Sequence, residues 1–195
     1  MLSWRTAVLV ALVGIAYPAS GWACGYWFLQ DDETNTEVTF LATSIELRPR
    51  GATPNAKKQE LGWFGYESPA FCQRVHSNKL DVRDGQFLRG KKVVGRLEGN
   101  TVELGDRKFD ITVQPLLDRK GRQDLISHLT YWNVEVRSGG KPVAHGPAIS
   151  FVMCSRADST EREKEIRERV ACYLILSRGK GRPLPASPSP SRLAR

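Results

Sequence analysis

The sequence lacks the motifs of the common catalytic and metal-binding proteins. It has three histidines and four cysteines in 195 residues, and no cysteine pair has the C-x2-C spacing of a structural zinc site. Cys72 and His76 form a single C-x3-H pair, and His128 and His145 lie far from it in the chain. The G-x-S-x-G pentapeptide of many serine hydrolases is also absent. We therefore predict no catalytic residue, no metal site and no cofactor.

Acidic residues are fewer than basic ones, but the imbalance lies mainly at the C-terminus. The chain carries 29 Lys and Arg against 21 Asp and Glu, a formal charge of +8. Arg5 lies in residues 1–23 and five bases lie in residues 178–195, which leaves 23 bases against 21 acids in residues 24–177. A nucleic-acid-binding domain concentrates its bases on a folded face. We therefore predict no nucleic-acid partner, and the sparse charge of the tail is typical of a solubilising segment.

Long apolar runs are absent after the first thirty residues, and the run at the N-terminus has the layout of an export signal. Arg5 gives one positive charge, residues 6–17 form the apolar core, and Pro18 ends it. Small residues allow cleavage after Gly21 or Ala23. We favour cleavage after Ala23, so that residues 1–23 are a signal peptide and the protein is exported, periplasmic or secreted.

Two other interpretations of the N-terminus stay open. Cleavage before Cys24 is also the geometry of a lipoprotein, although Gly21 and Trp22 stand where such sites favour leucine and a small residue. The uncharged span from Thr6 to Gln30 is long enough to cross a bilayer as an uncleaved anchor, although Pro18 interrupts it. In both cases membrane contact comes from the N-terminal segment alone.

The cysteines predict a disulfide framework. They are Cys24, Cys72, Cys154 and Cys172, and an even number in an exported chain is typical of disulfides. We predict two disulfides, for which three pairings exist. The simplest pairing joins sequence neighbours, Cys24 to Cys72 and Cys154 to Cys172.

Turn residues in the middle of the chain predict an antiparallel sheet. Residues 36–47 are rich in β-branched and aromatic types and are interpreted as one strand with a bulge or bend near Ser44. The dipeptides at 84–85, 99–100 and 105–106 suit hairpin turns, because Gly, Asn and Asp tolerate positive φ. The segments between these turns alternate apolar and polar residues, which predicts a β-meander with one buried face.

The C-terminal third adds two strands and a helix. Residues 130–137 alternate, a Gly-Gly turn follows, and the apolar run over residues 148–154 predicts a central strand covered on both faces. A helix is predicted from Thr160, which has capping-box spacing with Glu163, to Gly179, which would end it in a left-handed cap.

The predicted fold is mainly β (α+β), with one domain over residues 24–178. We expect a single antiparallel β-meander sandwich or open barrel with one C-terminal helix packed on it, closed by two disulfides. Residues 179–195 are rich in proline, serine and arginine and predict a disordered basic tail.

Two clusters stand out as candidate sites. Aromatic residues are concentrated in residues 61–71, at Trp63, Phe64, Tyr66 and Phe71. Rigid aromatic rings on a surface can contact a protein or a glycan. Alternatively, the same rings could pack into one end of the hydrophobic core. The acidic residues 31–33 with Glu37 lack the alternating oxygen ligands of a calcium loop and are interpreted as a solvated face.

Three functions follow as hypotheses. The leading one is a non-catalytic binding or interaction module of the cell envelope, which contacts an unknown protein or glycan partner through Trp63–Phe71. It requires several of those rings to be exposed together. The second is a structural or accessory envelope protein without a small ligand. The third is a small periplasmic hydrolase, in which His76, His128 or His145 lies in a pocket within hydrogen-bond reach of a nucleophile and an acid.

Overall fold

Closely spaced hairpin turns divide the chain into short strands of alternating polarity. The computed structural model describes residues 25–41, 43–53, 56–65, 71–77, 79–116, 125–126, 129–151 and 159–179. The strands in these ranges are β1 (Gly25–Asp31), β2 (Thr36–Phe40), β3 (Ser44–Pro49), β4 (Gln59–Phe64), β5 (Phe71–Arg74), β6 (Leu80–Arg83), β7 (Gln86–Arg89), β8 (Lys92–Glu98), β9 (Thr101–Leu104), β10 (Arg107–Pro115), β11 (Leu125–Ile126), β12 (Leu129–Ser138) and β13 (Lys141–Phe151). The helix in these ranges is α1 (Ser159–Arg178).

The strands close into a 12-stranded antiparallel barrel. Each strand from β1 to β9 pairs with the next along the chain, β13 pairs with β1 and β12, and β12 pairs with β10. The last pairing, from Asp110↔Arg137 to Pro115↔Trp132, closes the sheet, while β11 extends from β12 outside the closed ring. The predicted mainly β meander is therefore confirmed, but the barrel is closed rather than open, and closure removes unpaired strand edges.

The segment 36–47 is two strands and not one. β2 and β3 form a hairpin in which Phe40 pairs with Ile45. The apolar side chains change parity near Ser44 because the chain reverses there, which places Val38, Phe40 and Ile45 all inside the barrel. The predicted bulge or bend is therefore a turn.

The predicted hairpin turns are confirmed at 84–85, 99–100, 105–106 and 139–140. Gly85, Gly99 and Gly105 have φ values of 72°, 58° and 65°, in the left-handed region that glycine enters without steric cost. The apolar run at 148–154 is the end of the longer strand β13, which begins at Lys141, and residues 152–154 lie outside the described residues.

α1 has the predicted bounds but a different C-terminal cap. Two ion pairs join side chains four residues apart along the helix, with 3.4 Å between Arg167 and Glu163 and 2.6 Å between Arg169 and Glu165. Gly179 does not adopt positive φ; its N–H continues the helical pattern and donates to the Ile175 carbonyl at 2.9 Å. The left-handed cap predicted at Gly179 is therefore wrong.

α1 lies inside the barrel rather than on it. The seven consecutive residues from Val170 to Leu176 are all buried, whereas a helix packed on an outer surface would leave part of each turn in water. The helix touches widely separated parts of the wall: Cys172 is bonded to Cys72 on β5, Tyr173 packs against Phe40 on β2 at 6.1 Å between ring centroids, and Arg178 lies against the Phe109 ring on β10. The apolar character of residues 171–176 on all faces is explained by this enclosure.

The helix is comparable in length to the longer strands of the barrel. A 20-residue helix is about 30 Å long and a nine-residue strand such as β10 also spans about 30 Å. A barrel of twelve strands is wider than the eight-stranded barrels that side chains alone can fill. The helix therefore supplies the material that fills the lumen, and its side chains and the inward side chains of the strands form one core.

Candidate interaction surface and interior polar clusters

The predicted aromatic contact surface is divided between the two faces of the barrel wall. Phe64 faces inward and is only 1% exposed, and Cys72, its partner across the ladder, is also buried. Trp63 and Phe71 face outward and are half-buried. Tyr66 lies outside the described residues. Phe64 is therefore a core residue, and the outward rings of this segment that the structure places are Trp63 and Phe71.

Two further apolar side chains share the outer face with these rings. Phe71 on β5 pairs with Asp81 on β6, Asp81 with Leu88 on β7, and Leu88 with Val93 on β8, so these four residues form one row across the sheet. Leu88 and Val93 are half-buried. Trp63 is diagonal to Phe71 because Trp63 pairs with Gln73. We call Trp63, Phe71, Leu88 and Val93 the outer apolar patch.

Charged side chains surround and interrupt the outer apolar patch. The Lys79 ammonium lies 5.0 Å from the centroid of the Phe71 ring, within the range of a cation–π contact. Asp81 lies between Lys79 and Arg83, at 3.5 and 3.9 Å. Asp81 therefore divides the patch between Phe71 and Leu88, and Lys79 and Arg83 lie beside it.

One of the acidic residues predicted to form a solvated face is buried in a polar cluster: Asp31 is enclosed, whereas Asp32 and Glu33 are exposed as predicted. Asp31 on β1 is fully buried, and its carboxylate accepts hydrogen bonds from the Tyr173 hydroxyl, from Arg178 Nη2 at 2.6 Å and from the Thr34 amide at 3.0 Å. Glu33 accepts from Arg178 Nε at 2.9 Å. The prediction failed for Asp31 because its partners lie 142 and 147 residues away in the chain.

This cluster joins the last turns of α1 to the barrel wall. Arg107 on β10 also bonds to Glu33, at 2.5 Å, and the guanidinium groups of Arg107 and Arg178 lie 4.6 and 5.2 Å from the centroid of the Phe109 ring. Burial and the negative charge of Asp31 raise the pKa of the Tyr173 hydroxyl. Tyr173 therefore stays protonated and acts as a hydrogen-bond donor.

A second polar cluster lies farther toward the start of α1. Glu165 is ion-paired with Arg162 and with Arg169, and Arg169 also donates to the Leu41 carbonyl at 3.3 Å. The Arg169 guanidinium lies 4.7 Å from the Phe64 ring centroid. Phe64 thus contributes a ring to an interior contact, which explains its burial.

The disulfide differs from the predicted pairing. Cys72 on β5 is bonded to Cys172 on α1, across 100 residues of sequence, and both are fully buried. Sequence neighbours were the wrong choice because α1 returns into the barrel and brings Cys172 against β5. Cys24 and Cys154 lie outside the described residues.

The described histidines do not form a catalytic arrangement with a nucleophile. His76 is exposed in the turn after β5 with φ of 59°, and the His145 Nδ1 lies 3.4 Å from Asp32 on the outer surface. His128 lies outside the described residues. Neither His76 nor His145 lines the 690 Å³ cleft between the first half of α1 and the turns at 84–85 and 99, or the two smaller clefts of 310 and 140 Å³.

Metal-ligating side chains are not grouped in the part of the chain that the structure describes, where no three His, Cys, Asp or Glu residues come together as a site. Within the same residues, no helix combines the length and the apolar composition needed to cross a bilayer.

Comparisons with known proteins identify no relative: no protein family, curated protein or solved structure matches this chain.

Proposed function

We propose that the protein is an exported, non-catalytic interaction module of the cell envelope that binds a partner protein through the outer apolar patch. The observation that carries this proposal is the presence of Trp63, Phe71, Leu88 and Val93 on the outside of a barrel whose inside is filled by α1. A filled lumen leaves the outer wall as the surface available for a large partner.

The composition of the patch favours a protein over a glycan. Binding energy at protein interfaces is concentrated in a few residues, with Trp strongly enriched among them. Leu88 and Val93 extend the apolar surface beyond the two rings, and the Lys79 ammonium already occupies one face of Phe71, which a sugar would need for stacking. The charges of Asp81 within the patch and of Lys79 and Arg83 beside it would orient the partner protein.

The cysteines support the exported location. A buried Cys72–Cys172 disulfide is compatible with an oxidising compartment, where such bonds persist. With those two thiols paired, we propose that the second disulfide joins Cys24 to Cys154. Gly25 and Ser150 are partners at one end of this antiparallel strand pair; in the sequence, Cys24 directly precedes Gly25 and Cys154 follows Ser150 by four residues.

The second disulfide and the signal peptide are tested together by the intact mass of the protein from its native envelope fraction. The proposal predicts a chain that begins at Cys24 and gains four hydrogens on reduction. A gain of two hydrogens would contradict the second disulfide, and an acylated or full-length chain would contradict the cleaved signal.

The partner is tested by photo-crosslinking in the native host. A photoreactive phenylalanine analogue at Trp63 should give a discrete protein adduct, and the same analogue at Thr112, which is exposed on the outer face of β10, is the matched control. Trp63→Ala and Phe71→Ala should each reduce partner binding more than tenfold, and Thr112→Ala should leave it unchanged.

Three results would contradict the protein-binding proposal. Identical adducts from both positions would show that the patch has no preferred partner. Adducts confined to polysaccharide would replace the protein partner with a glycan. Unchanged host phenotype and unchanged binding in Trp63→Ala and Phe71→Ala would favour the purely structural or accessory role.

A further inference from the structure

The end of the barrel where α1 finishes holds a small amphipathic cleft. Its floor is apolar, from Leu80 on β6, Val94 on β8, and Ile175 and Leu176 on α1. Its polar lining comes from Arg74, Ser77 and Arg89, and Gly179 lies beside them. The cleft has a volume of 140 Å³, about that of five water molecules in the liquid.

Among the described residues, the two arginines of this cleft have no acidic partner. None of these residues forms an ion pair with Arg74 or Arg89, and none of the acidic ones lines the cleft. By contrast, the arginines of the neighbouring cluster at the same end, Arg107 and Arg178, are paired with Glu33 and Asp31.

Positive charge is concentrated in the strands that build this cleft. Residues 71–93 contain six bases and two acids, although residues 24–177 as a whole are close to neutral. The acids, Asp81 and Asp84, do not line the cleft, and Asp81 already has Lys79 and Arg83 as neighbours. The local potential therefore favours an anion at this position.

We propose that this cleft binds the anionic head of a small amphiphile, a phosphate or carboxylate joined to a short aliphatic chain. Arg74 and Arg89 come from different strands, β5 and β7, and each planar guanidinium can donate two hydrogen bonds to one oxyanion. The Ser77 hydroxyl also lines the cleft but donates to the Arg74 carbonyl at 2.9 Å, so the arginines supply the donors to the anion. The apolar side chains of the cleft take the aliphatic carbons. This site is separate from the outer apolar patch and does not depend on the proposed partner protein.

Calorimetric titration of the full oxidised mature chain tests the proposal, with inorganic phosphate, butyl phosphate and butyrate as probes. Butyl phosphate should bind at least tenfold more tightly than inorganic phosphate, since each buried methylene strengthens binding by about fourfold. Arg74→Gln and Arg89→Gln should each weaken butyl phosphate binding at least tenfold, because each removes charge-assisted hydrogen bonds. Arg83→Gln, which removes the same charge outside the cleft, is the matched control and should change binding less than twofold.

Vesicles separate the two sources of such a head group. A lipid phosphate would be identified if the protein sediments with phosphatidylglycerol vesicles but not with phosphatidylcholine vesicles. This sedimentation should be lost in Arg74→Gln and kept in Arg83→Gln. Binding of butyl phosphate without vesicle binding would identify a free small amphiphile.

Three outcomes would overturn the proposal. The first is that none of the probes binds. The second is that Arg83→Gln weakens binding as much as Arg74→Gln, which would indicate attraction by net charge. The third is that Arg74→Gln and Arg89→Gln lower the stability of the protein without changing binding. The last result would assign these arginines to the C-terminal carbonyls of α1, whose partial negative charge favours nearby cations.

Discussion

Replacing Asp31 with Asn tests whether the last turns of α1 are anchored to the barrel wall by a buried charge. The Asp31 carboxylate is fully buried and accepts hydrogen bonds from Tyr173 and from Arg178, whose side chain is 6% exposed. Removing one partner of a buried ion pair costs about 3–5 kcal/mol, because the remaining charge loses its compensation. Arg178 keeps its bond to Glu33, so we expect the lower end, about 3 kcal/mol.

The assay is urea unfolding of the oxidised protein at pH 7, followed by circular dichroism and by the fluorescence of the buried Trp27 and Trp132. Glu33→Gln is the matched control, because Glu33 pairs with the same arginine but its side chain is 35% exposed. We expect it to lower the free energy of unfolding by less than about 1 kcal/mol. A double-mutant cycle with Arg178→Gln should give a coupling energy of about 1–3 kcal/mol with Asp31.

The anchoring interpretation is refuted if Asp31→Asn costs no more than Glu33→Gln. A coupling energy near zero between Asp31 and Arg178 would refute it as well, since the loss of stability would then come from burial of the new amide and not from the ion pair.

Three further perturbations probe the contact between α1 and the wall. The double variant Cys72→Ser/Cys172→Ser should lower the free energy of unfolding by about 4–5 kcal/mol, the loop-closure value for the 100 residues between these cysteines; a loss below about 1 kcal/mol in urea unfolding would argue against this cross-link. Gly95→Ala should cost about 1–3 kcal/mol, because a Cβ there would lie 2.8 Å from Cδ1 of the buried Ile175; unchanged stability would mean that helix and wall are farther apart. Because the pKa of the Tyr173 hydroxyl is raised in the folded protein, its contribution to stability is complete below pH 10, its ordinary pKa, and is lost as the pH rises above that value. The Tm of Tyr173→Phe should therefore fall less steeply above pH 10 than the Tm of the native protein. Equal slopes of Tm against pH would contradict this role of Tyr173.

The local features of the fold could be predicted from the sequence because short-range chemistry determines them. The hairpin turns follow from residues that tolerate positive φ, such as Gly85 and Gly99. The inward face of β10 follows from the alternation of Phe109, Ile111 and Val113. These signals extend over a few residues and need no knowledge of the rest of the chain.

The closure of the barrel and the position of α1 could not be predicted in the same way. Closure depends on the β10–β12 pairing, which no local pattern specifies. The apolar run at 171–176 predicts burial, but it does not distinguish a helix inside a barrel from one packed between sheets. Cys172 was therefore paired with the nearer Cys154, and Asp31 was assigned to the surface because Tyr173 and Arg178 are remote in sequence.

The candidate surface was predicted in part. The segment at 61–71 contains two outward rings, Trp63 and Phe71, but strand alternation turns Phe64 inward. Leu88 and Val93 were missed because they join the patch only through the register of β5 to β8. Their signal in the sequence was parity: each stands next to a core residue, Phe87 or Val94, and so faces the opposite way.

The proposed binding surface on the outer wall requires that α1 be enclosed by the barrel. Native-state hydrogen exchange, read by mass spectrometry on peptides that cover Ile166–Leu176, tests it directly. If α1 is enclosed, these amides exchange as slowly as those of β10 and β12, through global unfolding only. Exchange of the helix at markedly faster rates, while β10 and β12 stay protected, would place the helix outside the barrel.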